Sequence, residues 1–162
     1  MSTLSAIIAH TPFWVWLALA AIVVIGLKRT QDRTVSSARL VFMPLIILAL
    51  AVSSLAASSG SLAALVGLGI GLVAGTSAGL AIEGRAGTTQ VSRGVVLVKG
   101  DWVSLFVLLA IFLVRYVATV IATTVPAVAA GEGYQFVTAL LAGFFAFLTL
   151  SRTGLRLRIA YA

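Results

Sequence analysis

The chain has 162 residues, of which 61% are hydrophobic and only 9% are charged, and its formal net charge is +7. A soluble domain carries about 25% charged residues, so this composition predicts an integral membrane protein with one small domain. The absence of cysteine excludes disulfides and thiolate sites, and one histidine with four acidic residues argues against a metal site within one chain. The sequence identifies no cofactor.

The first apolar run predicts a transmembrane helix from Thr11 to Leu27. No lysine or arginine precedes this run, whereas Lys28 and Arg29 follow it directly. A secretory signal peptide has the reverse order of charge, so we expect this helix to be retained. Aromatic side chains near its start are typical of membrane anchoring at the interface: Phe13, Trp14 and Trp16.

The second predicted span is Val41 to Ser58, with Pro44 in its first turns. The polar connector before it, Lys28 to Arg39, has a net charge of about +3 when its side chains are counted at neutral pH. A short uncharged corner, Ala57 to Gly60, follows the span. Because this corner is so short, we expect the second and third helices to be antiparallel neighbours.

The third predicted span, Ser61 to Ile82, carries a glycine at every fourth position: Gly67, Gly71, Gly75 and Gly79. In a helix this spacing places the glycines along one face as a slowly drifting stripe. Small residues let another helix approach closely in lipid, an arrangement known as a glycine zipper. The stripe predicts a packing surface that is used either inside the protomer or between copies of a homo-oligomer.

The segment from Glu83 to Asp101 is too polar to cross a membrane. Its β-branched residues predict a short hairpin, with strands at Thr88 to Ser92 and Gly94 to Lys99. A lone hairpin is marginal in water, so we expect it to lean on the membrane face or on a partner.

Two further spans complete the chain, at Trp102 to Val125 and Tyr134 to Leu150, and a basic tail follows them. Ala139 and Gly143 supply small-residue packing contacts on the last span. The predicted fold is therefore all-α, a bundle of five transmembrane helices with a cytoplasmic hairpin between the third and fourth.

The basic residues indicate the orientation of this bundle. Ten of the eleven lysines and arginines lie in the first connector, the hairpin region or the tail, which five spans place on one side. The positive-inside rule then predicts an outer N-terminus and a cytoplasmic C-terminus in the bacterial inner membrane. This placement accounts for the basic charge without nucleic acid, and the inner face should attract anionic lipids.

Arg115 is the leading candidate site residue, since it lies deep within the fourth span. A charged side chain there is costly and usually faces a cavity or the bundle interior. It could bind an anionic ligand together with Tyr116 and Thr119, or bond to backbone carbonyls, or extend outward to the lipid headgroups. The candidate site is a cavity lined by the glycine helix and Arg115.

His10 is the remaining candidate ligand-binding residue, at the outer mouth of the first helix. It could titrate near neutral pH, or supply one axial haem ligand per chain in a homodimer, or simply be solvated. Glu83 and Asp101, at helix ends on the inner side, are interpreted as structural. We expect no catalytic residues, because no nucleophile–base or acid–base constellation is visible.

Several short motifs resemble a group of small, uncharacterised bacterial inner-membrane proteins. They are the start from His10 to Trp16, the connector from Gly26 to Thr30 with Arg39, Leu40 and Pro44 after it, the turn from Val98 to Trp102 and the stretch from Phe112 to Tyr116. The chain is more distantly similar to CcdC-like proteins, whose name links them to cytochrome c biogenesis. This resemblance implies no established activity and no catalytic residues.

Three functions follow as hypotheses. The first is a non-enzymatic module that binds a lipid, another ligand or a partner protein in the membrane. The second is a small oligomeric transporter or channel-like protein that uses Arg115 for an anionic substrate. The third, drawn from the distant resemblance, is an accessory factor in respiratory or cytochrome cofactor handling.

Overall fold

The computed structural model describes residues 12–57 and 61–162 and shows a helical bundle with a small sheet at one end. His10 and three residues of the predicted corner, Ser58 to Gly60, lie outside the described residues. The elements in chain order are α1 (Phe13–Arg29), β1 (Arg33–Ser36), α2 (Ser37–Ala57), α3 (Leu62–Glu83), β2 (Thr89–Ser92), β3 (Val95–Val98), α4 (Trp102–Thr124), α5 (Pro126–Ala129) and α6 (Glu132–Ala160).

Three of the described helices, α3, α4 and α6, are long and apolar enough to cross a membrane. Their 22, 23 and 29 residues correspond to lengths of about 33 Å or more at about 1.5 Å per residue. A bilayer hydrocarbon core is about 30 Å thick. The lengths and composition of these helices therefore suit a membrane protein, and the count of five spans stays a prediction.

The glycine stripe of α3 packs against the backbone of α6. Gly67, Gly71, Gly75 and Gly79 are all buried on this face. A Cβ added at the first three would overlap the carbonyl oxygens of α6, and one added at Gly79 would lie 2.6 Å from the Leu148 carbonyl. On α6, Ala139 and Gly143 are also buried. This stripe is thus used within the protomer, where only hydrogen fits between the two backbones.

The polar segment after α3 forms the predicted hairpin, and the sheet contains a third strand that the sequence analysis missed. Strands β2 and β3 pair antiparallel, with an irregular register between Gln90 and Ser92. Strand β1, from the connector before α2, pairs with the other edge of β3, so that Arg33 lies opposite Val98. The strand order is β1-β3-β2.

The third strand gives the sheet a hydrophobic core of its own. Val35, Val96 and Val98 are buried together with Leu40 at the start of α2 and Ala160 at the end of α6. The hairpin therefore leans on the bundle itself, because α6 reaches the sheet and covers one of its faces.

The basic tail is the second correction to the predicted boundaries. Helix α6 does not end near Leu150 but continues without a break to Ala160. Its last turns bury Leu148, Arg152, Arg156 and Ala160, which recur every fourth residue on one face. The tail is therefore a structural element of the bundle and not a solvated extension of the last span.

Five helix ends meet beside the sheet at what we call the basic end of the molecule. The backbone N–H of Asp101, before α4, donates to the carbonyl of Arg29 at the end of α1. The Ser37 N–H at the start of α2 donates to Gly94, and the Gly94 N–H donates to Ala160 at the end of α6. Helix α3 also ends here, at Glu83, whose side chain accepts hydrogen bonds from Arg152 and Arg156 of α6.

Candidate functional site: a basic cavity beside a buried ion cluster

Two carboxylates and two arginines form a buried ion cluster at the basic end. Arg156 donates from Nε to Glu83 Oε1 (2.7 Å) and from Nη2 to Glu83 Oε2 (2.8 Å), a two-pronged pair. Arg152 bridges the two acids, donating to Glu83 Oε2 (3.0 Å) and to Asp101 Oδ2 (2.8 Å). The Glu83 side chain is fully buried, so its charge is stabilised by these arginines and not by water.

The two acids of the cluster are positioned by the ends of two different helices. Glu83 is the last residue of α3, and Thr88 in the following loop donates a further hydrogen bond to it at 2.9 Å. Asp101 is the N-cap of α4 and accepts the Ser104 N–H at 2.6 Å. Because the arginines come from α6, the cluster ties α3, α4 and α6 together.

The charges around Asp101 hold its carboxyl ionised. Burial alone would raise its pKa, but Arg152 and the hydrogen bonds from Ser104 outweigh that effect and lower the pKa of Asp101 below its usual value. Asp101 is therefore an anion at neutral pH and contributes to stability as one.

A cavity of about 480 Å³ opens beside this cluster, between α1, β1, α2, α4 and α6. Six cationic side chains line it, and no acidic side chain from the described parts of the chain does so. They are Lys28, Arg29, Arg33, Arg39, Arg152 and Arg156. Since the ion cluster supplies two carboxylates behind the arginines of α6, an excess of four positive charges faces this space.

Arg29 carries the clearest sign that this positive charge is uncompensated. Its Nε is buried and has no hydrogen-bond partner among residues 12–57 and 61–162. Arg29 lies just beyond the predicted first span, and its burial and the nearby charges of Arg33 and Arg156 lower its pKa to about 10. Burial and Arg156 also lower the pKa of Arg33. An anion in the cavity would relieve both effects.

The wall of this cavity that leads away from the basic end is apolar. It is formed by α2 and α4, through Leu40, Pro44, Ile47, Val107 and Leu108. Leu40 and Ile47 are two turns apart on α2, so this wall extends about 10 Å along the helix axis. The cavity lining thus combines cationic side chains with an apolar wall.

Arg115 lies far from this cavity, and its guanidinium contacts α2. Its Nη2 donates to the carbonyl of Leu50 and, at 3.4 Å, to the Ser53 hydroxyl. Of the alternatives left open by the sequence, the structure therefore shows the bond to a backbone carbonyl. Thr119 donates to the Arg115 carbonyl at 2.9 Å, and Tyr116 stacks on Phe112 with ring centroids 6.3 Å apart.

Arg115 lines a second cavity of about 410 Å³ near the far end of the bundle. Residues of α2, α4, α5 and α6 form it, among them Ser53, Thr119 and Gln135. No residue of α3 lines this cavity, because α6 packs against the glycine face of α3. The predicted cavity between the glycine helix and Arg115 is therefore wrong. Thr119 shares the cavity with Arg115, while a role for Tyr116 or for His10 in binding stays a prediction.

Sequence reasoning missed Arg152, Arg156 and the cations of the connector as site residues. The positive-inside rule used these side chains only to assign the orientation, and it treated them as one solvated surface. The signal that could have found them is the spacing of four between Arg152 and Arg156, together with two acids, Glu83 and Asp101, on the basic side. Opposite charges at the same membrane face predict pairing as well as orientation.

The described chain contains no group of three or more His, Cys, Asp or Glu side chains that could hold a metal ion. The fold and the cavity define a class of small helical protein with membrane-length helices and a cationic pocket at one end. Within that class, the chain belongs to the Family of unknown function (DUF6622), whose model matches residues 1–162.

The chain is also similar to an uncharacterised protein of Pasteurella multocida (strain Pm70), PM0739. The two are 36% identical over 75 residues, which is 46% of this chain and 56% of that protein. The chain therefore spans just over half the length of this relative. No solved structure matches the chain. The more distant similarity to CcdC-like proteins stays a prediction.

Proposed function

We propose that this protein is a non-enzymatic membrane module that binds an anionic amphiphile, an acidic lipid headgroup with its acyl chains, in the basic cavity. The observation that carries the proposal is a single cavity lined by six cationic side chains and an apolar wall, two of the cations, Arg152 and Arg156, being buried in ion pairs with Glu83 and Asp101. Guanidinium groups match the geometry of phosphate oxygens, and the excess positive charge favours an anion over a neutral ligand.

The apolar wall favours an amphiphile over a small free anion. An inorganic phosphate would satisfy the cations but would leave the half-buried Val107 uncovered, whereas Ile47 and Leu108 are already buried by the protein. An acyl chain along α2 and α4 would cover the apolar surface that is still accessible and add roughly 25 cal/mol for each Å² removed from water. An acidic lipid headgroup and inorganic phosphate both present phosphate oxygens, so the experiment must distinguish between these two ligands.

The proposal places the protein in the bacterial inner membrane, with five spans and the basic end in the cytoplasm. The concentration of lysine and arginine at one end of the bundle supports this orientation. The cavity mouth would then lie at the depth of the cytoplasmic headgroups, where anionic lipids are abundant.

Isothermal titration calorimetry on the protein in a neutral detergent tests this function. We expect short-chain phosphatidylglycerol to bind, and the Kd to rise about tenfold in Arg33→Gln and in Arg39→Gln, because each removes one charge-assisted contact. Arg158→Gln is the matched control, since Arg158 is exposed on the same end of α6 and does not line the cavity. Its Kd should not change.

Titrations with inorganic phosphate and with phosphatidylcholine test whether the cavity binds a free anion or an acidic lipid. Binding of inorganic phosphate as tight as that of phosphatidylglycerol would replace the lipid with a free anion. Equal binding of phosphatidylcholine and phosphatidylglycerol, or a Kd indifferent to both cavity variants, would refute the proposed function.

One observation favours transport as a second candidate function. Ile47 lines both the basic cavity and a narrow space of about 40 Å³, and Arg115 lines both that space and the far-end cavity. Residues of α2, α4 and α6 line all three spaces, and Ile111 lines the narrow one. In proteoliposomes, transport predicts that Arg115→Gln lowers anion flux with little change in Tm, while a fall in Tm alone would indicate a structural role.

A further inference from the structure

Four cations of the basic cavity form no ion pair with any described residue. They lie at the end of α1, at the start of β1 and in the first turn of α2: Lys28, Arg29, Arg33 and Arg39. The acids of the ion cluster pair with the arginines of α6 instead. Asp32, the acid of the same connector, accepts the Gly100 N–H at 2.7 Å. The described residues therefore leave these four positive charges without a paired anion.

The four cations form two pairs that come from different elements. Lys28 and Arg29, at the end of α1, are the α1 pair, and Arg33 and Arg39 are the β1–α2 pair. Burial and the charges of Arg33 and Arg156 lower the pKa of Arg29, so the two pairs lie close enough to repel each other. The Nε of Arg29 is closed to a ligand. An anion in the cavity would thus stabilise Arg29 through its charge and not through a bond to that atom.

Lipid headgroups differ in how much of this charge they can balance. A phosphodiester such as phosphatidylglycerol carries about one negative charge at neutral pH, whereas two phosphate groups carry about two to three. With one phosphate, most of the repulsion among the four cations would remain. The cavity volume of about 480 Å³ lies within the range of roughly 300–1,000 Å³ of ordinary ligand sites, which leaves room for two phosphate groups.

We infer that the anionic amphiphile of the basic cavity carries two phosphate groups, one bound by the α1 pair and the other by the β1–α2 pair. The inference rests on the proposed function, since it specifies the headgroup of the same ligand. A prenyl diphosphate has two adjacent phosphates, and a cardiolipin has two that are joined through glycerol. Free pyrophosphate presents the same groups without a hydrocarbon chain.

Isothermal titration calorimetry in a neutral detergent, with farnesyl monophosphate and farnesyl diphosphate as the probes, tests the inference. The two compounds share one hydrocarbon chain and differ by one phosphate group. We expect the Kd of the diphosphate to be at least about tenfold lower, because the second phosphate adds charge-assisted hydrogen bonds to the second pair of cations. Short-chain phosphatidylglycerol and short-chain cardiolipin form a second pair of probes and should differ in the same direction.

Lys28→Gln should reduce the advantage of the diphosphate to less than about threefold, because it removes one charge of the α1 pair. Lys99→Gln is the matched control, since Lys99 is an exposed lysine at the same end of the molecule and does not line the cavity. It should keep the full advantage. Circular dichroism and Tm verify that the variants are folded, and Arg39→Gln offers a second variant, in the other pair, that should also reduce the advantage.

The outcomes distinguish this inference from the proposed function. Equal Kd values within both pairs of probes, with phosphatidylglycerol still bound, would overturn the inference and leave the proposed function standing. An advantage of the diphosphate that persists unchanged in both Lys28→Gln and Arg39→Gln would also overturn it. Free pyrophosphate bound as tightly as farnesyl diphosphate, and far more tightly than free phosphate, would support two phosphate groups but refute the amphiphile. Cardiolipin and farnesyl diphosphate separate the two sources of a lipid ligand, because the tighter of them shows whether the phosphates are joined through glycerol or adjacent.

Discussion

At the scale of single residues, Glu83 and Asp101 determine how the arginines of α6 can be buried. Arg152 and Arg156 are only 5% and 6% exposed. An unpaired arginine in that position would be very costly, and the two carboxylates offset this cost. The four other cations of the cavity lining make no ion pair among the described residues.

Asp101 provides a prediction about pH. Its pKa in the folded state is below its value in the unfolded chain, so its contribution to stability is present above the unfolded pKa and is lost as the pH falls through the folded pKa. Asp101→Asn keeps an N-cap residue but loses the charge, and we expect it to reduce the free energy of unfolding by about 2 kcal/mol at about pH 7.

Thermal unfolding of wild type and variant from neutral to acid pH measures this effect. The gap in Tm between them should shrink below about pH 4, because the Asp101 carboxyl of the unfolded chain then takes up a proton while the folded one, with its lowered pKa, is protonated only at still lower pH. Glu132→Gln, an exposed acid at the start of α6, is the control and should change Tm little. A gap that stays constant to about pH 2 would show that the charge of Asp101 is not what stabilises the cluster.

At the scale of elements, the contact of α3 with α6 rests on the absence of side-chain atoms at the glycine positions. Gly71→Ala should reduce the free energy of unfolding by about 1–3 kcal/mol, since the added methyl group would overlap the Leu140 carbonyl and force the backbones apart. Gly69→Ala is the internal control, because a Cβ there meets nothing within 4 Å.

Denaturant or thermal unfolding of both variants in the same detergent compares the two positions. Gly69→Ala should be neutral or slightly stabilising, as alanine favours a helix more than glycine does. Equal Tm values for the two variants would mean that α6 does not sit as closely on α3 as the structure shows.

The elements that follow one strong sequence pattern could be predicted, and those that depend on tertiary contacts could not. The apolar runs predict all five long helices to within a few residues at most ends, and the Val95 to Val98 pattern predicts β3. Strand β1 could not be found in the polar connector, because its four residues are ordered by pairing with β3 and not by a pattern of their own.

The last helix shows why the site itself was missed. The residues after Leu150 have the composition of a solvated basic tail, and their helical conformation is stabilised by Glu83, Asp101 and the sheet. Arg115 could be found, since a lone charge in an apolar run is visible in the sequence. The basic cavity combines residues from five elements, so no local pattern indicates it.

At the scale of the whole molecule, the bundle has one cavity at each end. Six cationic side chains line the cavity at the basic end, while Arg115 is the one cation of the described residues that lines the far-end cavity. If the molecule spans the membrane with its basic end inward, the two face the headgroups of opposite leaflets.

Photo-crosslinking with a phosphatidylglycerol analogue, carrying a diazirine near the start of its acyl chain, tests the central claim most directly. Peptide mapping should place the crosslinks on the cavity wall at Leu40 to Ile47 and Val107 to Leu108, and Arg39→Gln should reduce them while Arg158→Gln does not. Crosslinks spread evenly over exposed apolar side chains such as Phe106 and Leu113, with no enrichment at the cavity wall, would contradict the account.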